Sequence, residues 1–204
     1  MFTGIIEEVG TIKNKKKEKD SFRFEIGCQK ILLGQKIGSS ISINGCCLTI
    51  VKKNANSFLV DLSEETLKKT NLDDLNIDDK VNLETSLTVN SLVKGMNSQI
   101  GGHLVLGHVD TKGKILKIKK LPKSHLVEIK FPRKFAKFLI RVGSVAIDGI
   151  SMTVAEIKKE SFMVSVIPHT WEVTVFHLKK ENDNVNLEFD VIGKYVERIL
   201  KNKK

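Results

Sequence analysis

The sequence predicts an all-β protein made of two similar halves, each a small closed barrel, followed by one C-terminal helix. Three observations support this fold class: a tandem repeat, a hairpin-turn signal at the same place in both halves, and a helical apolar pattern confined to the end of the chain. At 204 residues the chain is long enough for two compact domains of about 100 residues each.

The repeat is visible in segments that recur in the same order. "INGCCLTI" (43–50) returns as "IDGISMTV" (147–154), and "VNLE" occurs unchanged at 81–84 and at 185–188. Matching segments in matching order indicate two homologous halves, about 1–90 and 101–190, joined near 89–100. The predicted domains are an N-terminal barrel (1–96), a C-terminal barrel (97–190) and a C-terminal helix (191–204).

Within each half the apolar residues mostly follow a period of two, which is typical of strands. Asn44-Gly45 and Asp148-Gly149 interrupt this pattern at equivalent positions and predict tight hairpin turns. Short strands separated by such turns favour a small closed barrel, because closure leaves no open sheet edge. One helical turn is expected at "SEETLKKTNL" (63–72) with Ser63 as its N-cap, whereas the matching "IPHTWEVTVF" (167–176) is expected to be less helical.

The C-terminal segment has a different pattern. Ile192, Tyr195, Val196, Ile199 and Leu200 are spaced to form one apolar face of a helix. This face requires a packing partner, and periodicity alone favours its own barrel and the tails of other subunits equally.

Composition limits the classes of function. The chain has 34 Lys and Arg against 24 Asp and Glu, a basic excess that suggests nucleic acid as a partner. The excess is mostly lysine, and few aromatic residues lie between the lysines. This pattern indicates a solvated surface and no nucleic-acid interface. The longest apolar runs are too short to cross a bilayer, so no membrane association is expected. The chain opens directly on "MFTGII", with no leader pattern, and its three cysteines form no disulfide framework, so we expect a cytoplasmic protein with reduced thiols.

The candidate chemistry lies in small polar and nucleophilic side chains near repeat-equivalent turns. The sequence contains no phosphate-binding loop, no CxxC pair and no HExxH motif, and no metal site is expected. Each polar residue alone is compatible with local backbone bonding or core packing. Their repetition in both halves instead predicts two related pockets for one kind of molecule. The residues are Thr3, Cys47, Thr49, Thr66, His108, Ser151, Thr153 and Thr170.

A family resemblance rests on five motifs in order: "MFTGI" (1–5), "NGCCLT" (44–49), "GGHLVLGHVD" (101–110), "DGISMT" (148–153) and "IPHT" (167–170). Over essentially its whole length the chain resembles the riboflavin synthase family, α-chain type. The resemblance implies that each half is a six-stranded Greek-key barrel binding one 6,7-dimethyl-8-ribityllumazine. It also implies a homotrimer joined by the C-terminal helices, with the productive pair of lumazines held between barrels of neighbouring subunits.

The implied reaction is a dismutation, in which one lumazine gives a four-carbon unit to another to yield riboflavin and 5-amino-6-ribitylaminouracil. Two copies of one substrate require two similar pockets, which accounts for the repeat. Neither redox cofactor nor metal is expected, because the ring system of the substrate delocalises the charge. The resemblance leaves open whether the protein associates with lumazine synthase.

The resemblance also implies site residues. Cys47, His108, Ser151 and Asp190 match positions implicated in catalysis: Cys47 or Ser151 for the nucleophile at the acceptor lumazine, His108 for proton transfer, Asp190 for orienting the ribityl chain or a base. The implied substrate-binding residues are Phe2, Thr3, Gly4, Ile5, Ile6, Cys47, Leu48, Thr49, Asp61, Leu62, Ser63, Glu64, Glu65, Thr66, Gly107, His108, Val109, Ser151, Met152, Thr153, Ile167, Pro168, His169, Thr170, Trp171 and Glu172.

Two alternatives share parts of this pattern. A non-catalytic lumazine- or flavin-binding antenna protein would have the same barrels, but it would tend to lack Cys47, His108 and Ser151. A basic nucleic-acid-binding barrel should display exposed aromatic residues on its strands, and this chain has one Trp and one Tyr.

Overall fold

The computed structural model describes residues 1–18, 21–87 and 100–202. The predicted linker near 89–100 lies, apart from Ile100, outside the described residues, and so does the predicted boundary between 96 and 97. The rest of the two repeats is described except residues 19–20 and 88, and the predicted C-terminal helix is described up to residue 202.

The first half folds into a closed antiparallel barrel of six strands in the order β1-β2-β5-β4-β3-β6. Strands β3, β4 and β5 follow one another, and β6 returns to lie beside β3, which is the Greek-key arrangement. The elements are β1 (Glu8–Lys17), β2 (Ser21–Gly27), β3 (Ser40–Ile43), β4 (Cys46–Lys53), β5 (Ser57–Ser63), α1 (Glu64–Lys69) and β6 (Lys80–Thr85).

The second half repeats the first strand for strand, in the order β7-β8-β11-β10-β9-β12 around a second closed barrel. Even the register irregularities recur: β1 is bulged after Ile12 and β7 after the equivalent Ile115. The elements are β7 (Thr111–Leu121), β8 (Ser124–Lys130), a 3₁₀ turn (Arg133–Phe138), β9 (Ser144–Ile147), β10 (Ile150–Ile157), β11 (Ser161–Val166), α2 (Pro168–Val173), a 3₁₀ turn (Val175–Leu178), β12 (Asn184–Phe189) and α3 (Val191–Lys201).

Each barrel has its own apolar interior, formed by the inward-facing residues at alternating positions of all six strands. Phe24 and Phe58 are fully buried in the first barrel, and Phe162 and Phe189 in the second. Burying side chains of this size stabilises each barrel by about 1.5–3 kcal/mol per residue. The all-β class, the barrels and the repeat predicted from the sequence are therefore confirmed.

The two predicted hairpin turns meet where the barrels touch. Asn44 and Gly45 have φ of 46° and 79°, and Asp148 and Gly149 have φ of 45° and 81°, as a type I′ turn requires. A Cβ added to Gly45 would lie 2.7 Å from the amide nitrogen of Gly149. Glycine is therefore needed at these turns for both its dihedral angles and the close approach of the barrels.

Reciprocal hydrogen bonds join the barrels at this contact. Asn82 Nδ2 donates to the carbonyl of Asp148 (2.9 Å), and Asn186 Nδ2 donates to the carbonyl of Asn44 (2.8 Å). All four side chains are at least 98% buried. Buried polar groups stabilise a contact only in the geometry that satisfies them, so this network fixes the relative placement of the two barrels.

The helices partly follow the expectation. The α1 helix starts as predicted at its N-cap Ser63, whose hydroxyl accepts the amide of Thr66. The α2 helix is as long as α1, contrary to the expectation that the second copy is less helical. Pro168 at its first turn replaces the missing side-chain cap, because a fixed φ suits that position. Among the described residues, no helix is both long and apolar enough to cross a bilayer.

Candidate active site

In each half, the segment that precedes the first strand reaches across to the other barrel, and we call it the crossing segment. Residues 2–6 precede β1, and 105–109 are their repeat counterparts before β7. The two segments pair with each other where Phe2 and Val105 exchange backbone hydrogen bonds of 2.7 and 3.1 Å. Gly4 then contacts Ser151 of the second barrel, and Gly107 contacts Cys47 of the first barrel.

The first barrel carries a surface pocket of about 230 Å³ at this crossing. It brings together seven residues predicted from the sequence, one of them from β4, three from the β5–α1 junction and three from the crossing segment. These are Cys47, Ser63, Glu65, Thr66, Gly107, His108 and Val109. Cys46, Lys69 and Thr70 complete the lining and were not predicted. Residues from both halves therefore form one pocket.

Ser151 occupies the position in the second barrel that Cys47 occupies in the first. Its amide donates to the carbonyl of Gly4 (2.9 Å), as the Cys47 amide donates to that of Gly107 (2.8 Å). The Ser151 hydroxyl is bonded to His103 Nδ1 at 2.7 Å. The second barrel thus holds a hydroxyl paired with an imidazole, an arrangement that suits proton transfer.

His103 was not predicted as a site residue. Burial lowers the pKa of its imidazole, and the nearby Asp190 carboxylate opposes that shift. The neutral imidazole is thereby favoured at neutral pH, which is the form that accepts a proton. Asp190 also caps α3, accepting the amide of Ile192 at 2.9 Å, so the predicted acidic residue lies beside the unpredicted histidine.

The cysteines differ in their environments. Cys28 and Cys46 point into the first barrel, and burial raises the pKa of each thiol to about 12. Cys47 points out of the barrel, is half-buried and faces the pocket. Since the thiolate is the nucleophilic form of cysteine, only Cys47 is placed to react with a bound molecule.

Several predicted residues have side chains directed elsewhere. Leu48, Leu62 and Met152 face the barrel interiors. Asp61 is held in a bidentate ion pair by Arg23, with contacts of 2.7 and 2.9 Å, which lowers the pKa of the carboxyl.

Trp171, also predicted as a binding residue, lies in an aromatic stack. Its ring is stacked on the rings of His125 and Phe176, with centroid separations of 3.9 and 6.2 Å, and packs against the core of the second barrel. Seven further predicted residues are exposed: Thr49, Glu64, Thr153, Ile167, Pro168, His169 and Glu172.

The same crossing buries two predicted residues and leaves two others accessible. Phe2 and Thr3 are buried between the barrels, and Ile5 is exposed. Ile6 packs partly against the second core. Thr170 is half-buried in α2, at the repeat position of Thr66, which lines the first pocket.

The fold and the site define a class of protein: a duplicated β-barrel with reactive polar groups at the same place in each half, Cys47 in a pocket of the first and the Ser151–His103 pair in the second. The Lumazine binding domain model matches the chain twice, at 3–94 and 106–190. Over 98% of its length and 90% of theirs, the chain is 42% identical to riboflavin synthase of Actinobacillus pleuropneumoniae and 40% identical to that of Bacillus subtilis. The chain belongs to the riboflavin synthase family of lumazine-binding proteins.

Solved structures share the architecture. LumP complexed with 6,7-dimethyl-8-(1'-D-ribityl)lumazine superposes with a TM-score of 0.82 at 24% identity, covering 93% of this chain and 99% of that one. LumP complexed with riboflavin gives 0.83 at 24% identity, covering 93% and 100%. At this identity the likeness extends to the fold.

Proposed function

We infer that the chain is a riboflavin synthase, which converts two molecules of 6,7-dimethyl-8-ribityllumazine into riboflavin and 5-amino-6-ribitylaminouracil. The observation that carries this inference is that equivalent positions of the two barrels hold different reactive groups, Cys47 in the pocket of the first and the Ser151–His103 pair in the second. We propose that the Ser151–His103 pair marks the second lumazine pocket. A dismutation treats two copies of one substrate differently. Similar pockets with different chemistry suit that requirement.

The second pocket suits proton transfer at one lumazine. The neutral imidazole of His103 is hydrogen-bonded to Ser151, so a proton taken up by the hydroxyl or by a bound water has an acceptor within 2.7 Å. Asp190 stabilises the imidazolium that forms, because its carboxylate acts on that ring by Coulomb attraction and raises the pKa of the imidazole. We assign the removal of the 7-methyl proton to this group of residues.

The first pocket suits covalent or electrostatic assistance to the other lumazine. Cys47 presents its thiol beside His108, and the Ser63 and Thr66 hydroxyls lie at the same opening. These hydroxyls also bond each other at 3.0 Å, which orients them toward one ligand edge. We assign Cys47 to the electrophilic carbon of the acceptor and the hydroxyls to substrate binding. Holding the two rings in contact then supplies much of the rate as effective concentration.

We further propose a homotrimer in the cytoplasm. The apolar face of α3 remains exposed on the barrel, with Ile192, Val196 and Leu200 at 64%, 50% and 60% exposure. A groove of about 560 Å³ runs between α3 and the 3₁₀ turn Arg133–Phe138, and Asp190 lines it. Packing of tails from neighbouring subunits would cover this face and close the second pocket from the side of Asp190.

The experiment is incubation of the purified protein with the lumazine alone, following riboflavin by absorbance. We expect stoichiometric conversion of two lumazines into one riboflavin and one pyrimidine product. Ser151→Ala and Cys47→Ala should still bind lumazine but reduce turnover by different factors. Saturable lumazine binding without riboflavin would assign the chain to the antenna class.

A matched control keeps the cysteine test specific. Cys28→Ala removes a thiol that points into the barrel core and does not line the pocket. Its effect should be on stability, with turnover per folded molecule preserved. Equal losses of turnover from Cys28→Ala and Cys47→Ala would contradict the assigned role of Cys47.

A further inference from the structure

We propose that Glu84 and Glu188 are positioning residues for the reaction. Each carboxylate holds the crossing segment of its own half in the place where that segment completes the pocket of the other barrel. This proposal deepens the proposed function and rests on it. Neither residue touches a pocket directly, and each acts through the glycine it holds.

Glu84 is the last residue of the first "VNLE" and lies near the end of β6, with 3% of its surface exposed. Its Oε1 accepts the amide of Thr3 at 2.6 Å and the Thr3 hydroxyl at 2.9 Å. The amide of Gly4 donates to both oxygens at 3.1 Å. Among the described residues, all donors to this carboxylate come from the crossing segment.

Glu188 ends the second "VNLE" in β12 and has the same exposure. Its oxygens accept three consecutive amides, those of Leu106 (2.7 Å), Gly107 (2.9 Å) and His108 (2.9 Å). Two equivalent buried carboxylates thus bind two equivalent backbone segments.

A glycine links each carboxylate to the reactive residue of the opposite barrel. Gly4 donates its amide to Glu84 and accepts the Ser151 amide at its carbonyl (2.9 Å). Gly107 does the same between Glu188 and Cys47, with a carbonyl contact of 2.8 Å. A displacement of either carboxylate is transmitted through a single glycine residue to Ser151 or Cys47.

Each glycine packs so closely against the opposite barrel that there is no room for a side chain at its position. A Cβ on Gly4 would lie 2.6 Å from the Ser151 Cβ, and a Cβ on Gly107 would lie 2.6 Å from the Cys47 Cβ. Burial raises the pKa of Glu84 to about 7 against the lowering effect of its bonds to Thr3 and Gly4, and burial likewise raises that of Glu188. A carboxylate that is costly to bury is used at both places, where an apolar residue would leave several amides unsatisfied.

The first arm of the test measures how firmly Glu84 and Glu188 hold the crossing segments, independently of catalysis. In Glu84→Gln the amide group keeps one acceptor oxygen and turns a donor toward the backbone amides. We expect hydrogen exchange at Thr3 and Gly4 to accelerate about tenfold or more, with the exchange of Leu106–His108 unchanged. Glu188→Gln should give the reciprocal pattern. Unchanged exchange in both variants would overturn the proposal.

The second arm measures turnover, because each carboxylate is expected to act on the reactive residue of the opposite barrel. Glu84→Gln should lower kcat about tenfold or more with KM nearly unchanged. That loss should vanish in a Ser151→Ala background and persist in a Cys47→Ala background, and Glu188→Gln should show the opposite dependence. The same loss in both backgrounds would mean that the carboxylates serve general stability, which overturns the positioning role.

Controls separate this proposal from the proposed function. Glu8→Gln is the matched control, because Glu8 also accepts three consecutive backbone amides, those of Gln29, Lys30 and Ile31 at 2.6, 2.8 and 2.8 Å, and these amides lie outside the crossing segments. It should change neither the exchange of the crossing segments nor kcat. If Glu84→Gln does not fold, Glu84→Asp replaces it in both arms, since it keeps the charge and shortens the reach. A wild-type protein that forms no riboflavin would contradict the proposed function. The exchange pattern would still show whether Glu84 and Glu188 hold the crossing segments.

Discussion

At the scale of single residues, glycine and cysteine positions show how contact between the halves is built. Gly107 has φ of +80° and lies against Cys47, whereas Gly34 has φ of +76° and faces open space. The two glycines share the same backbone requirement and differ in their surroundings. They therefore separate the cost of the dihedral angle from the cost of the contact.

Gly34→Ala should cost about 1 kcal/mol of unfolding free energy, because a side chain disfavours the left-handed conformation. Gly107→Ala should cost about 2–4 kcal/mol, since its Cβ would also lie 2.9 Å from Phe2 and 2.6 Å from Cys47. Denaturant unfolding of the two variants measures both values. Equal costs would show that the crossing segment yields easily and is not held against Cys47.

The cysteine environments predict selective chemistry. Iodoacetamide near pH 8 should modify Cys47 alone, because the raised pKa of about 12 keeps Cys28 and Cys46 protonated. Intact mass should show one adduct per folded chain, and bound riboflavin should slow its formation. Cys47→Ser is the control and should take up no label. Labelling of Cys46 in the folded protein would contradict the assignment of the two adjacent thiols to opposite faces of β4.

Sequence reasoning found most pocket residues at this scale but not the ones that act together with them. Cys47 and Ser151 stand at equivalent repeat positions and could be paired by alignment. His103 is aligned with no residue of the first half by the shift that relates the two repeats, so repetition gave no signal for it. The recurrence of "VNLE" was visible, but only the structure shows that Glu84 and Glu188 accept amides from Thr3, Gly4 and 106–108.

At the scale of secondary-structure elements, local signals were sufficient where they act within a few residues. The turns at 44–45 and 148–149, the cap at Ser63 and the periodicity of α3 were all predicted from neighbouring residues. The helicity of α2 was underestimated, because it lacks a capping side chain and is stabilised by the tertiary stack of Trp171 on His125. Tertiary contacts override weak propensity in such short helices.

The α2 helix supplies a reporter for the second barrel, since Trp171 is the only tryptophan of the chain. It lies next to Thr170, on the core side of the helix. Riboflavin bound in the second pocket should quench its emission by energy transfer. In a titration at high protein concentration the quenching should end at one ligand per chain, whereas polarisation of the riboflavin should report two.

Two variants control this titration. Trp171→Phe should remove the emission but keep an aromatic ring in the stack between His125 and Phe176. Cys47→Ala should leave the quenching curve unchanged, because Cys47 lines the first pocket. Quenching that continues to two ligands per chain would show that Trp171 senses both pockets.

At the scale of the whole molecule, each half contributes its crossing segment to the site of the other half, so neither half forms its site alone. The repeat predicted two barrels with equivalent pockets, but periodicity describes each half separately. The crossing of 2–6 and 105–109 depends on contacts between residues about a hundred positions apart, such as Gly4 with Ser151. No local pattern encodes that exchange, and it makes the docking of the barrels part of the site.

The last prediction concerns assembly, where the sequence left two packing partners for α3 open. The helix contacts its own barrel through the Lys137–Glu197 ion pair, yet Ile199 and Leu200 remain 55% and 60% exposed. Wild-type protein should therefore sediment with about three times the mass of one chain. Ile199→Asp should lower that mass, because burying an unpaired carboxylate in the subunit contact costs several kcal/mol.

Arg198→Asp places the same charge one residue earlier, beside the polar positions of α3, and should leave the trimer intact. If the reacting lumazines lie between barrels of neighbouring chains, Ile199→Asp should also lose turnover while each chain still binds riboflavin, as the quenching of Trp171 would report. Dissociation with full turnover would mean that the two pockets of one chain cooperate directly. A wild type that sediments as a single chain would instead leave the exposed face of α3 without a subunit partner and would contradict the trimer.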